Sequence, residues 1–125
     1  MLWLYKAVVG NVVDYDTVDF NISLGFGVFM HRRLKVYLSI PNLIDVSQAQ
    51  KALRCMVILL GGGKKVLLEL SENENYATIY LSRKVANEHT LDIAGKVVAD
   101  INSIMKKLYS ENFDPDYLVN NILKN

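Results

Sequence analysis

Between residues 17 and 24 the chain alternates strictly, with apolar Val18, Phe20, Ile22 and Leu24 interleaved by polar Thr17, Asp19, Asn21 and Ser23. A period of two sends successive side chains to opposite faces of an extended backbone, so this run predicts a β-strand with one buried and one wet face. Such a strand needs paired neighbours and a cover for its apolar side. The flanking sequence supplies both. Residues 5–13, rich in Val and Tyr, read as a preceding strand. Asp14-Tyr15-Asp16 reads as the turn, because Asp tolerates turn conformations and bonds its own backbone. Gly25-Phe26-Gly27 breaks the alternation and predicts a bulge or tight bend. A third strand over 33–40 stops at Pro41.

The period then changes to that of a helix. Ser47 reads as an N-cap, Ala49, Ala52, Leu53, Met56, Val57 and Leu60 recur at helical spacing, and Gly61-Gly62-Gly63 end the element. Residues 65–70 and 76–81 read as strands four and five, joined by a polar turn over 71–75. The stretch 83–99 reads as an extended excursion with a short hairpin around Gly95. A second helix fits 102–109, with Ile104, Met105 and Leu108 inward. A third opens at Asp114-Pro115, a capping residue with Pro at the first helical position, and its Leu118, Val119, Ile122 and Leu123 form one stripe. No repeat, low-complexity tract or linker divides residues 1–125, so a single domain is expected. Five short strands with a helix between the third and fourth is the pattern of an OB-type barrel. The predicted class is α+β: a five-stranded OB-type β-barrel with three α-helices.

Composition narrows function by exclusion. Hydrophobic residues at 51% and a balance of 14 Lys+Arg against 13 Asp+Glu exclude a disordered chain and a uniformly basic surface. Cys55 is the one cysteine, too few for an internal disulfide, and reads as a buried helix residue. The start, Met1-Leu2-Trp3-Leu4-Tyr5-Lys6, lacks the pattern of a secretory signal, and the apolar run at 55–60 falls far short of the ~20 residues that cross a bilayer. A soluble protein of a reducing cytoplasm, with no membrane partner, is expected. His31 and His89 offer no zinc spacing and no Ser-His-Asp arrangement. His31 is expected on a surface loop. Gly61-Gly62-Gly63-Lys64-Lys65 has Ile58 and Lys65 where a phosphate loop needs Gly and Ser or Thr, and its order is helix then strand.

Specific stretches resemble a known family. Val12-Val13-Asp14-Tyr15-Asp16-Thr17-Val18 resembles the V-x-D-G-D-T-x sequence that opens thermonucleases of the staphylococcal nuclease type. Phe20-Asn21-Ile22-Ser23-Leu24-Gly25-Phe26-Gly27-Val28 is similar to a D-L-G-F-G stretch of phage-borne members. Ser47-Gln48-Ala49-Gln50-Lys51-Ala52-Leu53 resembles their E-A-x-x-A-L helix. Lys64-Lys65-Val66-Leu67-Leu68-Glu69 resembles the strand after it, and Asp100-Ile101-Asn102-Ser103-Ile104-Met105 their I-N-x-x-L-V helix start. The resemblance implies that family's five-stranded OB-type barrel with three helices. It also implies calcium-dependent hydrolysis of a phosphodiester in DNA or RNA. That chemistry uses metal-binding aspartates, a carboxylate that activates water and two arginines on the phosphate.

Carried over residue by residue, the resemblance gives a degenerate site. Asp16 takes the first metal position, Thr17 follows it, and Tyr15 replaces the glycine between the two aspartates. Lys35 stands for the first arginine. The second metal aspartate and the glutamate fall on Ile40 and Leu43 or, shifted by one residue, on Ser39 and Asn42; Asp45 has the wrong spacing for either. Glu74 stands for the second arginine, with the charge reversed. Calcium takes roughly six to eight oxygen ligands and relies on carboxylates. One preorganised charge-stabilising donor is typically worth ~10²–10³ in rate, and an arginine on a phosphoryl transition state roughly 10³–10⁵. Hydrolysis is therefore expected to be absent.

Three functions follow as expectations. The first is a catalytically inactive nuclease-fold binding module that needs no cofactor: a phage accessory protein acting in the host cytoplasm on a host or phage protein or a nucleic acid. The second is a metal-dependent phosphodiesterase with a rearranged calcium or magnesium site built from Asp16, Lys35 and Asp14 or Asp45. The third is a non-catalytic binder of single-stranded nucleic acid. It would use the basic cluster His31-Arg32-Arg33-Leu34-Lys35, with Arg32, Arg33 and Lys35 on phosphates and stacking residues drawn from Tyr5, Phe26, Phe29, Tyr37, Tyr76 and Tyr80, most of which read first as core, as Phe20 does by its strand spacing. Asp14, Asp16 and Asp19 are close enough in sequence to attract a cation, but they read first as a turn with solvated carboxylates that needs no metal.

Overall fold

The computed structural model describes residues 3–71, 76–81, 90–93 and 95–123. Seven strands lie among them: β1 (Trp3–Asp14), β2 (Thr17–Gly25), β3 (Val28–Val36), β4 (Lys65–Leu70), β5 (Tyr76–Leu81), β6 (Thr90–Ile93) and β7 (Lys96–Asp100). Helix α1 (Val46–Leu60) stands between β3 and β4. Helices α2 (Ile101–Ser110) and α3 (Pro115–Tyr117) follow the last strand, and α3 runs on into a π-helical stretch, Leu118–Ile122.

Five strands close into a barrel in the order β3-β2-β1-β4-β5, and the return from β5 to β3 is parallel, through Lys35–Tyr76 and Val36–Ala77. The other pairings within the barrel are antiparallel. The chain is thus α+β with a closed, OB-like five-stranded barrel. Strand β1 makes closure possible: its first half pairs with β4 (Trp3–Leu70 to Val8–Lys65) and its second half with β2. Register shifts between Val9 and Asn11 and between Val12 and Asp14 bend it from one partner toward the other.

The alternation that opens the sequence argument is realised over most of its length, with Val18, Phe20 and Ile22 inside the barrel at 0–1% exposure. They meet Ala7, Val9, Leu34, Leu68 and Ile79, and the inner faces of α1 and α2 cover the remainder of this core. Truncating a ring in such a place, Phe20→Ala, costs about 3–5 kcal/mol in comparable cores. Leu24 departs from the pattern at 47% exposure. The pairing of β2 with β1 runs only to Ile22, opposite Ala7, so Leu24 lies beyond it on the β2–β3 hairpin. A second, smaller cluster sits outside the barrel, where Val98 and Ile93 of the β6–β7 hairpin cover Leu67 and Tyr80.

Several boundaries differ from expectation. Strand three spans Val28–Val36 rather than 33–40, because Phe26-Gly27 form a two-residue turn that lets pairing begin at Gly25–Val28. His31 is accordingly on a strand and not a loop. Asp45, not Ser47, caps α1: its Oδ1 accepts the Ser47 N–H at 2.8 Å and the Gln48 N–H at 3.4 Å. The inward face of α1 is Ala52, Cys55, Met56, Leu59 and Leu60, leaving Val57 half-exposed. Strands β4 and β5, the hairpin turning at Gly95 and the start at Asp114-Pro115 stand where they were expected. Val119 faces outward because the wider π-helical turn, closed by the Leu123 N–H on Leu118 O, brings Leu118 and Ile122 inward instead. The turn expected over 71–75 lies outside the described residues beyond Ser71, as do Glu74 and His89.

Candidate functional site

The turn Asp14-Tyr15-Asp16 and the end of β3 meet the loop after it around a pocket of about 340 Å³. Asp16, Lys35, Tyr37, Ile40, Asn42 and Tyr76 are among its lining residues. The closure of the barrel builds this place. The Val36 N–H donates to Asp16 O at 2.7 Å and the Tyr37 N–H to Ala77 O at 2.8 Å, which ties β3 to the β1–β2 turn and to β5. Of the positions that the resemblance assigns to catalysis, Asp16, Lys35, Ile40 and Asn42 line this recess, whereas Thr17, Ser39 and Leu43 do not and Glu74 lies outside the described residues.

Their chemistry is mutual rather than outward-facing. Lys35 Nζ lies 3.8 Å from Asp16 Oδ2, and the Thr17 hydroxyl donates to Asp16 Oδ1 at 3.1 Å. Tyr15, where the family motif has glycine, packs on the core and accepts the Leu43 N–H at its hydroxyl, at 3.4 Å. Ser39 is drawn aside: its N–H and hydroxyl both donate to Asn102 Oδ1 on α2, at 2.7 and 3.2 Å. Ile40 and Leu43 pack against the core. Asp14 does not line the pocket, and its Oδ1 accepts the Tyr15 N–H at 2.7 Å, as a turn aspartate does. Asp45 is committed to the α1 cap. Among the described residues no group of three or more His, Cys, Asp and Glu side chains comes together to hold a metal ion.

The basic cluster does not form one surface. Arg33 pairs across the strands with Asp19, and Lys35 with Thr17, whereas Arg32 pairs with buried Phe20 and so belongs to the opposite face of β3. Arg33 is also occupied. Its Nε lies 2.7 Å and its Nη2 3.2 Å from the two Asp19 oxygens, a bidentate pair that holds the Asp19 carboxyl below its ordinary range and raises the guanidinium. With Lys35 on Asp16, two of the three cations assigned to phosphate are matched by carboxylates of the β1–β2 hairpin region.

The aromatic residues separate cleanly. Phe20 is core, Tyr80 is covered by the β6–β7 hairpin, Tyr37 and Tyr76 line the Asp16 pocket half-exposed, and Phe26 and Phe29 face solvent. Burial pushes the Tyr80 hydroxyl up to about 12, with the nearby Glu69 carboxylate adding to it. Burial likewise pushes the Cys55 thiol up to about 11, consistent with an inert core residue whose Sγ sits 3.4 Å from Phe113 O. No described helix is long and apolar enough to cross a membrane.

A second recess, of about 460 Å³, opens on the outer barrel face around Lys6, Lys65, Lys96, Asn21 and Phe29. Of these only Phe29 was expected to touch a ligand; Asn21 and Lys65 were expected simply as strand residues. The lysines come from three strands and no run of basic residues announces them; the signal lay in the parity of β1 and β4, whose inward Ala7, Val9, Val66 and Leu68 place Lys6 and Lys65 on the outer face. No protein-family model, curated protein or solved structure matches this chain.

Proposed function

We propose that this chain is a non-catalytic binding module built on a barrel of the staphylococcal nuclease-like kind, whose partner is a nucleic acid or a protein of the same compartment. The observation that carries this reading is the state of Asp16. Its carboxylate is shared between the Lys35 ammonium and the Thr17 hydroxyl, and the side chains facing it from the loop are Ile40 and Asn42. Activation of a water for phosphodiester attack needs a metal or a general base within hydrogen-bond reach, and a lone ion-paired carboxylate supplies neither strongly. The Tyr15 hydroxyl and the Asn102 amide oxygen accept the backbone N–H groups of Leu43 and Ser39 and so tie down the loop beside the recess.

The test is incubation of the purified protein with single- and double-stranded DNA and with RNA, each with calcium, magnesium or manganese. No metal-dependent cleavage is expected above the level seen in Asp16→Ala. Cleavage that requires a metal and is lost in Asp16→Ala overturns the reading in favour of a rearranged nuclease site.

A further inference from the structure

On the outer face of the barrel, two cross-strand rows run side by side. One passes from His31 through Asn21 and Val8 to Lys65, and beside it Phe29 pairs with Ser23, and Lys6 with Leu67. The β6–β7 hairpin, packed over Leu67 and Tyr80, forms a raised edge along one side and adds Lys96. The result is a groove of about 460 Å³, apolar along its floor, with three ammonium groups and no acidic side chain in its lining. The described ion pairs are Arg33–Asp19 and Lys35–Asp16; none involves Lys6, Lys65 or Lys96. Phe29 stands 59% exposed at one end, and Asn21 Oδ1, buried within the same lining, has no hydrogen-bond partner among the described residues.

We infer that this groove binds single-stranded nucleic acid, with a base stacked on Phe29 and adjoining phosphates on Lys6, Lys65 and Lys96. Each part of the ligand answers one feature of the groove. Lysines unmatched by acids call for an anion. An exposed ring beside an apolar floor calls for a flat apolar face, which every base presents once it is unstacked. A duplex would meet the lysines but keep its bases from the ring, so the single strand is the better fit. The inference rests on reading the chain as a binding module. It concerns a face distinct from the Asp16 pocket, so the two fail separately: cleavage lost in Asp16→Ala overturns the first, and the binding results below decide the second.

Fluorescence anisotropy with a short, mixed-sequence, labelled single-stranded oligonucleotide tests it on the full chain. Binding is expected at low salt, with log K falling against log salt at a slope of about −2, the ~0.7 per single-strand phosphate contact multiplied over three lysines. Phe29→Ala is expected to weaken binding roughly tenfold or more. Lys6→Gln, Lys65→Gln and Lys96→Gln each flatten the salt slope, and the triple variant loses detectable binding, while Lys51→Gln on α1 changes nothing. These residues are exposed, and near-identical circular dichroism and unfolding midpoints verify that the variants fold. The inference is overturned if no binding appears at low salt, or if the triple variant still binds. A duplex bound as well as the single strand and indifferent to Phe29→Ala also overturns it, leaving charge attraction without base contact. So does an acidic peptide that displaces the oligonucleotide at lower concentration, which assigns the groove to a protein.

Discussion

The Asp16 pocket and the lysine groove belong to one barrel and use similar residues, yet their polar groups stand in opposite states. In the pocket, Asp16 is met by Lys35 and Thr17, the Tyr15 hydroxyl by the Leu43 N–H, and Ser39 by Asn102. In the groove, three lysines have no carboxylate in the lining and a buried amide oxygen has no donor. A folded chain lowers its free energy by pairing such groups internally, and unpaired ones persist where something outside the chain completes them or where selection has been weak. The contrast teaches that resemblance to a catalytic motif and readiness to bind are carried by different faces here. It can be broken from either side.

The largest effect is expected in the pocket, where the polar groups are paired with one another. Tyr15→Gly restores the family's motif residue but removes a ring packed on the core and the acceptor of the Leu43 N–H. A loss of about 3 kcal/mol in urea unfolding is expected from comparable ring truncations, with no metal-dependent cleavage gained. A variant that keeps its stability and begins to cut nucleic acid would show that the tyrosine merely blocks a working site, and the comparison would collapse.

Next comes alkaline pH. In the fold, burial holds the Cys55 thiol protonated up to about 11 and the Tyr80 hydroxyl up to about 12, whereas in the unfolded chain they release their protons near their ordinary values of 9.0 and 10.0. Between those limits the unfolded state carries fewer protons, so stability is full below pH 9 and falls as pH rises through 9–11 for Cys55 and 10–12 for Tyr80. The Cys55 part amounts to about 3 kcal/mol. Tyr80 underlies the hairpin that walls the groove, so the groove face is expected to loosen along with the core, visible as a falling hydrogen-exchange protection factor at Val98, relative to the unstructured rate at each pH. Cys55→Ala should remove the earlier of the two pH-dependent losses, and an unchanged profile in that variant would refute the assignment.

Asn21→Val separates stability from binding. The valine suits a strand and removes the unpaired acceptor, so unfolding is expected to become harder by roughly 1 kcal/mol. Oligonucleotide affinity should stay the same, because the buried oxygen is out of a ligand's reach. Stability gained with affinity lost would instead put Asn21 in contact with the bound strand, beside the lysines and Phe29.

What could be seen in advance follows a physical division. The barrel was legible because alternation at Val18, Phe20 and Ile22, glycine breaks and Pro115 are local signals, each acting within a few residues. Asp16, Lys35, Ile40 and Asn42 meet because barrel closure carries the end of β3 to the β1–β2 turn, a long-range pairing that no local signal announces. Boundaries failed where one local signal hid another: Asp45 sits two residues before Ser47, and both are good caps. The basic cluster misled because adjacency in sequence is opposition on a strand, which separates Arg32 from Arg33 and Lys35. The groove was invisible for the complementary reason. Lys6, Lys65 and Lys96 are 31 or more positions apart, and only the register Val8–Lys65 and the hairpin turning at Gly95 bring them to one face.

The smallest expected effect lies at the tip of the β2–β3 hairpin, three residues from Phe29. Phe26 and Gly27 have φ of 54° and 74°, the left-handed pair that a type I′ turn requires. Glycine adopts this freely and asparagine nearly so, whereas a bulky L-residue is disfavoured by roughly 1 kcal/mol. Phe26 recovers nothing by packing, since it is fully exposed. Phe26→Asn should therefore stabilise the chain by up to about 1 kcal/mol, read from the urea midpoint. The groove side of the molecule would then hold two separable costs, a strained exposed ring and an unpaired buried amide, against none of that kind described in the pocket. If Phe26→Asn leaves the midpoint unchanged, the tip carries no strain to relieve, and the contrast between the two faces rests on Asn21 and the lysines. If it stabilises and also weakens oligonucleotide binding, the bound strand extends past Phe29 to the tip, and the strained ring is part of the surface that the single strand meets.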